Sequence, residues 1–362
     1  MKIGIDASRY KSEQATGVEW YSWHIIHALL KELKGSDDKI ILYSRNFIDL
    51  DDVTVKVLEA KRLWTLRALS KEMDKNPPDL LFVPSHTLPL KLPKRSVIMI
   101  HDVAFKYLRK SYSFVQYHYL NWSTKYAVKH ATKILVPSMA TKEDLINLFN
   151  CPAEKIEVIY HGFSAPNSEA NNDFDLDIFK YFDIDEKSKY LLFVGRLETK
   201  KNLSNLVLAF SKFLKENPGF KLILAGKRGV GFNKFLKTVV KEGLEKDVIM
   251  PGYITEQEKA ALFRNCQGFV FPSLYEGFGL PILEAFSYKK PILCSNCSSL
   301  PEVAGEAAIY CDPYDVDSIE KGLEVLAKND EYIEDLVKKG SERLKEFSWE
   351  KAAKETLKVL HG

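Results

Sequence analysis

Two glutamates separated by seven residues, Glu276 and Glu284, bracket the stretch best suited to chemistry: Ser273-Leu-Tyr-Glu-Gly-Phe-Gly-Leu-Pro-Ile-Leu-Glu-Ala-Phe286. Before it, the short apolar run Gly268-Phe-Val-Phe-Pro272 reads as a buried strand stopped by proline. Pro281 suits the first turn of a following helix, where a missing N–H costs nothing. Gly277 and Gly279 let the backbone between them turn sharply and approach a ligand. Such a helix start presents unpaired N–H groups and partial positive charge, which suits a phosphate. Eight residues of full helix span roughly 12 Å, beyond the ~5–9.5 Å of a hydrolytic carboxylate pair. The two carboxylates are better placed to grip separate hydroxyl groups of one long ligand. By spacing alone, two surface glutamates around an ordinary turn fit equally well.

Three further groups could act with them. In Phe193-Val-Gly-Arg-Leu-Glu-Thr-Lys-Lys-Asn202, Arg196 and Lys201 lie between a strand end and the next helix. They could neutralise a diphosphate, through a planar guanidinium fork and an ammonium point charge. Solvated loop charges would look the same. Gly17 precedes a helix and could bring backbone N–H groups to phosphates, or form a plain tight turn. His101, in Ile100-His-Asp-Val103, ends a strand, as a ligand-facing or a satisfied loop histidine would.

Together these residues resemble family 4 of the glycosyltransferases, retaining enzymes of the GT-B fold, through their Glu-x7-Glu motif and Gly-Arg-x4-Lys diphosphate clamp. The resemblance covers nearly the whole chain. It implies that Glu276 touches the donor sugar and Glu284 the nucleotide ribose, with Phe278, Gly279 and Leu280 meeting sugar and diphosphate through their backbone. It places the clamp on Arg196 and Lys201; Lys201, rather than Lys200, matches the register. His101 falls beside donor sugar and acceptor, in a positioning role. Gly17 contributes to the donor site, although many relatives carry two glycines where this chain has Thr16-Gly17. Pro251-Gly-Tyr253 resembles the loop that meets the base, with Gly226 lining the same pocket.

The catalytic set so implied is His101, Glu276, Arg196 and Lys201. The donor-binding set is Gly17, Gly226, Tyr253, Phe278, Gly279, Leu280 and Glu284. Ser299-Leu-Pro-Glu-Val-Ala-Gly305 and Phe347-Ser-Trp-Glu look most like bacterial mannosyltransferases that build O-antigen-type polysaccharides. The implied function is metal-free, cofactor-free transfer of a hexose, mannose first, from a nucleotide-diphosphate sugar to a glycan or lipid-linked glycan. GDP-mannose is the expected donor, with UDP-sugars second. The rivals are a GT-B-fold sugar-nucleotide epimerase and a non-catalytic sugar-nucleotide-binding protein; retention of the clamp residues argues against the latter.

The elements that must position these groups follow from the rest of the chain. Its 362 residues exceed what one core usually supports. Hydrophobic content of 46% and charged content of 28% are ordinary for a globular protein, and a net charge of +3 gives no case for nucleic acid. Short apolar runs alternate with helical patterns, which predicts α/β architecture with parallel sheets. The polar stretch after Gly162 reads as a linker. The expected domains are 1–165 with a crossing helix from 347–362, and 166–346, two Rossmann-like units facing across a cleft. A helix is expected over Lys142–Phe149 with Thr141 and Asp144 as its capping box, another over Arg62–Asp74, and a closing amphipathic helix capped by Ser348.

No signal peptide or 18-residue apolar run is seen, and five cysteines are odd in number, so a cytoplasmic protein with reduced thiols is expected. Cys294-Ser-Asn-Cys297 has redox-pair spacing but no second pair. Peripheral contact with the inner membrane face is weighed for two aromatic and basic stretches, 61–67 and Tyr112–Tyr126. The second spreads its aromatics around the helix, as a buried helix would. The Asp-x-Asp patterns at Asp173–Asp177, Asp183–Asp185 and Asp315–Asp317 read as solvated acids.

Overall fold

The computed structural model describes residues 1–11, 17–50, 53–60, 62–164, 178–182, 184, 188–328 and 330–362. The chain divides into two compact units, Met1–Gly162 with Phe347–Gly362, and Phe163–Glu346. Most of the predicted linker, with Asp173–Asp177, lies outside the described residues, as do Asp183, Asp185, Thr16 and Lys61.

Among the described residues, the first unit holds β1 (Lys2–Asp6), β2 (Lys39–Ser44), β3 (Thr54–Val57), β4 (Leu80–Val83), β5 (Arg95–Met99), β6 (Lys133–Val136) and β7 (Ile156–Val158). They pair in parallel in the order β3-β2-β1-β4-β5-β6-β7. The second holds β8 (Tyr190–Val194), β9 (Lys221–Ala225), β10 (Val248–Gly252), β11 (Gly268–Phe271), β12 (Ile292–Ser295) and β13 (Ile309–Cys311), in the order β10-β9-β8-β11-β12-β13. Central strands such as β4, β11 and β12 are buried throughout, which is why they read as continuous apolar runs rather than alternating ones. In each sheet the order reverses once, between β1 and β4 and between β8 and β11. Chains leaving such neighbouring strands part to opposite sides and open a crevice at their carboxyl ends.

The closing helix, Trp349–His361, belongs to the first unit. Ser348 caps it by accepting from the Lys351 N–H at 3.1 Å. Ala352, Ala353 and Leu360 share a core with Ile25, Ile26 and Leu29 of the helix Gly17–Leu33. The Trp349 ring lies flat on His24, with centroids 4.7 Å apart.

Three local expectations need correction. Ser138, not Thr141, caps the helix Met139–Phe149, because its side chain accepts from the Thr141 N–H at 3.1 Å; Asp144 instead takes the Tyr107 hydroxyl. The region 62–74 is not one helix: a π-helical turn, Thr65–Leu69, feeds the short helix Ser70–Lys75. The helix Phe114–His130, which carries most of the stretch Tyr112–Tyr126, has the opposite burial to that expected. Only Ser123, Thr124 and Ala127 are buried, whereas Phe114, Val115, Tyr119 and Trp122 are exposed.

The closing helix approaches Gly162 so closely that a Cβ there would lie 2.3 Å from the Trp349 nitrogen. Overpacking against side chains costs about 1–3 kcal/mol, and backbone yields less readily. Gly162→Ala should therefore lower hydrogen-exchange protection in Trp349–His361 and Gly17–Leu33 while leaving β8–β13 protected. Unchanged protection of the closing helix would refute the contact's importance.

Candidate active site

At the carboxyl ends of β8 and β11, where the second sheet reverses, a buried carboxylate meets two lysines. After β8 a 3-10 turn, Thr199–Lys201, carries Lys200 and Lys201. After β11 the chain bends to Glu276, which is 8% exposed. Lys201 Nζ lies 2.5 Å from Glu276 Oε1, and Lys200 Nζ lies 3.5 Å from Oε2. The turn is tied to the bend by the Leu274 N–H donating to the Lys200 carbonyl at 2.9 Å. Lys201 also sits 4.7 Å over the Phe271 ring.

Burial pushes the Glu276 carboxyl up, but the two ammonium groups outweigh it and hold the group below the usual carboxylate range. It is therefore ionised at neutral pH. Stability from this pairing is present above the ordinary carboxylate range and is lost as pH falls through the depressed value.

The bend is fixed from the following loop. The Glu276 N–H donates to Ser298 Oγ at 3.0 Å, and the fully buried Ser299 hydroxyl bridges the carbonyls of Glu276 and Phe278 at 2.9 and 2.8 Å. Gly279 starts the helix Leu280–Ser287 at φ +113°, and a Cβ there would lie 2.9 Å from Leu300. Backbone conformation and packing both require glycine. Pro281 stands in the first turn, as the sequence predicts.

Glu284 projects from this helix, with Oε1 3.1 Å from Lys259 Nζ. Burial opposes the Lys259 charge, but Glu284 and Glu256 outweigh it and hold the lysine above its ordinary range. Lys259 thus aims Glu284 and leaves its second oxygen as an acceptor for a hydroxyl.

The neighbouring strand ends complete the edge. Gly226, after β9, is forced: a Cβ would lie 1.9 Å from the Gly195 carbonyl oxygen, so the loops after β8 and β9 touch backbone to backbone. Tyr253, after β10, is half exposed, with Lys227 Nζ 4.5 Å over its ring. Arg196 is exposed and packs its stem by Gly229. The second unit thus brings Lys201, Gly226, Tyr253, Glu276, Phe278, Gly279, Leu280 and Glu284 to one sheet edge, with Arg196 on its outer side.

Of the Asp-x-Asp candidates within the described residues, Asp315 caps the helix Val316–Leu326 and Asp317 pairs with Lys212. Cys294 and Cys297 are free thiols; Cys294 is sealed in β12, and burial drives its thiol well above its usual range.

His101 and Gly17 lie in the first unit. His101, after β5, is buried against Tyr21, with ring centroids 4.8 Å apart, and its Nε2 reaches the Pro84 carbonyl at 3.1 Å. Burial, then His86, pushes the imidazole down to about 4. At neutral pH it is uncharged, Nε2–H donates to Pro84, and Nδ1 remains an acceptor. The neighbouring Asp102 carboxylate accepts from the Ala104 N–H at 2.9 Å. Gly17 opens its helix with nothing within 4 Å of a Cβ.

Lys200, Lys259, Ser298 and Ser299 are the site residues that sequence reasoning missed as such. Lys200 falls outside the clamp register, and no local pattern connects Lys259 with Glu284.

Residues 20–165 match Glycosyltransferase Family 4 and residues 175–343 match Glycosyl transferases group 1. The chain is 31% identical over 278 residues to the O-antigen chain mannosyltransferase B of Escherichia coli, covering 76% of this chain and 72% of that one. It is 28% identical to the O-antigen chain mannosyltransferase RfbU of Salmonella typhimurium, covering 75% and 69%. The Anabaena HepE structure in complex with UDP-glucose superimposes with a TM-score of 0.74 at 16% identity, over 99% of both chains. With its two parallel-sheet units and these relatives, the chain belongs to glycosyltransferase family 4, of the GT-B fold.

Proposed function

We propose that this glycosyltransferase moves mannose, with retention, from GDP-mannose to a glycan or lipid-linked glycan, without a divalent cation. The observation that carries the reading is the Glu276–Lys201–Lys200 cluster at the switch point of the second sheet, beside the start of the helix Leu280–Ser287. Mannose is supported by the names of the O-antigen relatives.

Transfer breaks the bond between the anomeric carbon and the β-phosphate oxygen, and negative charge grows on the departing diphosphate. Lys201, Arg196 and the N–H groups at the helix start would stabilise that charge where it develops. Glu276 would hold the sugar hydroxyls and Glu284 the ribose. The acceptor oxygen bonds to the anomeric carbon on the face the phosphate leaves, and the phosphate oxygen takes its proton. The neutral His101 suits a hydroxyl-positioning role rather than that of an acid. Contact with a membrane would suit a lipid-linked acceptor, and the exposed aromatics of Phe114–His130 support it.

The test is a panel of GDP-mannose, GDP-glucose, UDP-glucose and UDP-galactose, with mass-spectrometric detection of hydrolysis and transfer and NMR of the product anomer. Release of sugar from GDP-mannose and an α-linked product support the reading. Inversion, or turnover to an epimer without acceptor, would overturn it.

Lys201→Ala should lose about 10²–10³ in kcat with a much smaller change in donor affinity, the usual cost of removing a transition-state donor. Lys200→Ala should stay within about tenfold of wild type; equal losses would dissolve the clamp assignment. Treatment with EDTA should leave the rate unchanged, and a loss restored by magnesium or manganese would contradict the metal-free mechanism.

A further inference from the structure

A hydroxyl-positioning histidine needs a fixed ring plane, and one hydrogen bond does not supply it. His101 follows β5, and its Nε2–H donates to the Pro84 carbonyl at 3.1 Å. That bond holds one atom of the imidazole but leaves the ring to swing about it, because the terminal torsion of histidine is broad. The plane is set by what packs on the faces and edges of the ring.

Tyr21 is the neighbour that does so. It lies on the helix Gly17–Leu33, is 1% exposed, and meets His101 edge to face, with centroids 4.8 Å apart and planes at 80°. Aromatic quadrupoles favour this arrangement. The next residue, Ser22, is fully buried and donates from Oγ to the same Pro84 carbonyl at 3.5 Å. One helix therefore reaches both the imidazole ring and its hydrogen-bond acceptor.

Two further rings hold Tyr21 in place. His161, after β7, lies 4.6 Å from it and 5.4 Å from His101, and Trp349 of the closing helix lies 5.9 Å from it. Both belong to the first unit. Burial first, and His101 second, hold the His161 imidazole well below its ordinary range, so it packs as a neutral ring. Among the described residues the Tyr21 hydroxyl, shut off from solvent, has no hydrogen-bond partner. A buried hydroxyl in that state opposes folding. What Tyr21 gives to His101 therefore comes from its ring and not from its oxygen.

We propose that Tyr21 is a positioning residue for sugar transfer, its ring fixing the plane in which His101 presents Nδ1 to a substrate hydroxyl. The inference rests on the reading of His101 as the group that positions that hydroxyl. Tyr21 acts only through His101.

Steady-state kinetics of the full chain, with the sugar nucleotide that it turns over, would compare Tyr21→Leu, Tyr21→Phe, His101→Gln and the double variant Tyr21→Leu with His101→Gln. Tyr21→Leu should lower kcat by about two- to tenfold, the range an aromatic pair supports, with little change in KM for the donor. Tyr21→Phe keeps the ring and should restore kcat, with a melting temperature at or above wild type. In the His101→Gln background, Tyr21→Leu should cost nothing further, because an effect carried through one residue vanishes with that residue. Tyr43→Leu, which removes a fully buried ring from β2, gauges lost packing alone; it should lower the melting temperature and leave kcat unchanged. Tyr21→Met, also without a ring, repeats the test if Tyr21→Leu does not fold. Wild-type kcat in the ringless variant would overturn the proposal. So would an equal loss in Tyr21→Phe or Tyr43→Leu, or the same Tyr21→Leu loss with and without His101; each of these leaves the reading of His101 standing. Wild-type kcat in His101→Gln would overturn that reading, and the proposal with it.

Discussion

The second unit is organised around one buried carboxylate that must stay paired. Glu276 has been taken out of water at the reversal point of a parallel sheet, and two lysines from the neighbouring strand end meet it there. Removing one partner from a buried pair typically costs about 3–5 kcal/mol, because the remaining charge is left uncompensated. The surrounding structure serves that pairing. Ser298 and Ser299 pin the bend that carries the carboxylate, and the Leu274–Lys200 backbone bond fixes the turn that carries the ammonium groups. The same arrangement puts two ammonium groups at the sheet edge that also carries the start of the helix Leu280–Ser287.

Close backbone approach is the second constraint, and glycine makes it possible in both units. The Gly195–Gly226 contact lets the loops after β8 and β9 lie against each other, which draws the edge together. In the first unit, Gly162 lets the closing helix settle onto the core shared with Gly17–Leu33, and Trp349 completes a run of stacked rings through His24 to Trp20. Burial within this run drives the His24 pKa down to about 4, with His27 adding to the shift. The packing is therefore that of neutral rings, and it favours the folded state at neutral pH and loses that advantage on acidification below the ordinary histidine range.

The two sheets use the same geometric device for different chemistry. Each opens a crevice where its strand order reverses. In the second unit the crevice holds a paired acid and two lysines, with glycine-lined approaches. In the first it holds two arginines over an aromatic floor, with exposed apolar side chains at the rim. The two crevices therefore differ in the charge and polarity of the residues that line them.

What the sequence determined by itself was local or motif-borne. A strand buried on both faces announces itself as an apolar run, as Gly268–Phe271 did before it proved to be β11. The Ser348 cap of the closing helix acts within one turn and was equally legible. The Glu276–Glu284 stretch carried its turn, its proline and its helix start in consecutive residues. Tertiary structure alone decided which distant groups met. Lys200 and Lys201 differ by one position in sequence, yet both reach Glu276 because strand order, not spacing, sets β8 beside β11. Lys259 meets Glu284 for the same kind of reason, across elements that no local pattern connects. The face that the helix Phe114–His130 turns to solvent depends on what packs beneath it, and its weakly segregated aromatics gave no periodic signal to reveal that face. The cavity between Arg9 and Arg45 exists only because β2, β1 and β4 are neighbours, a fact fixed by long-range pairing that a one-dimensional chain does not display.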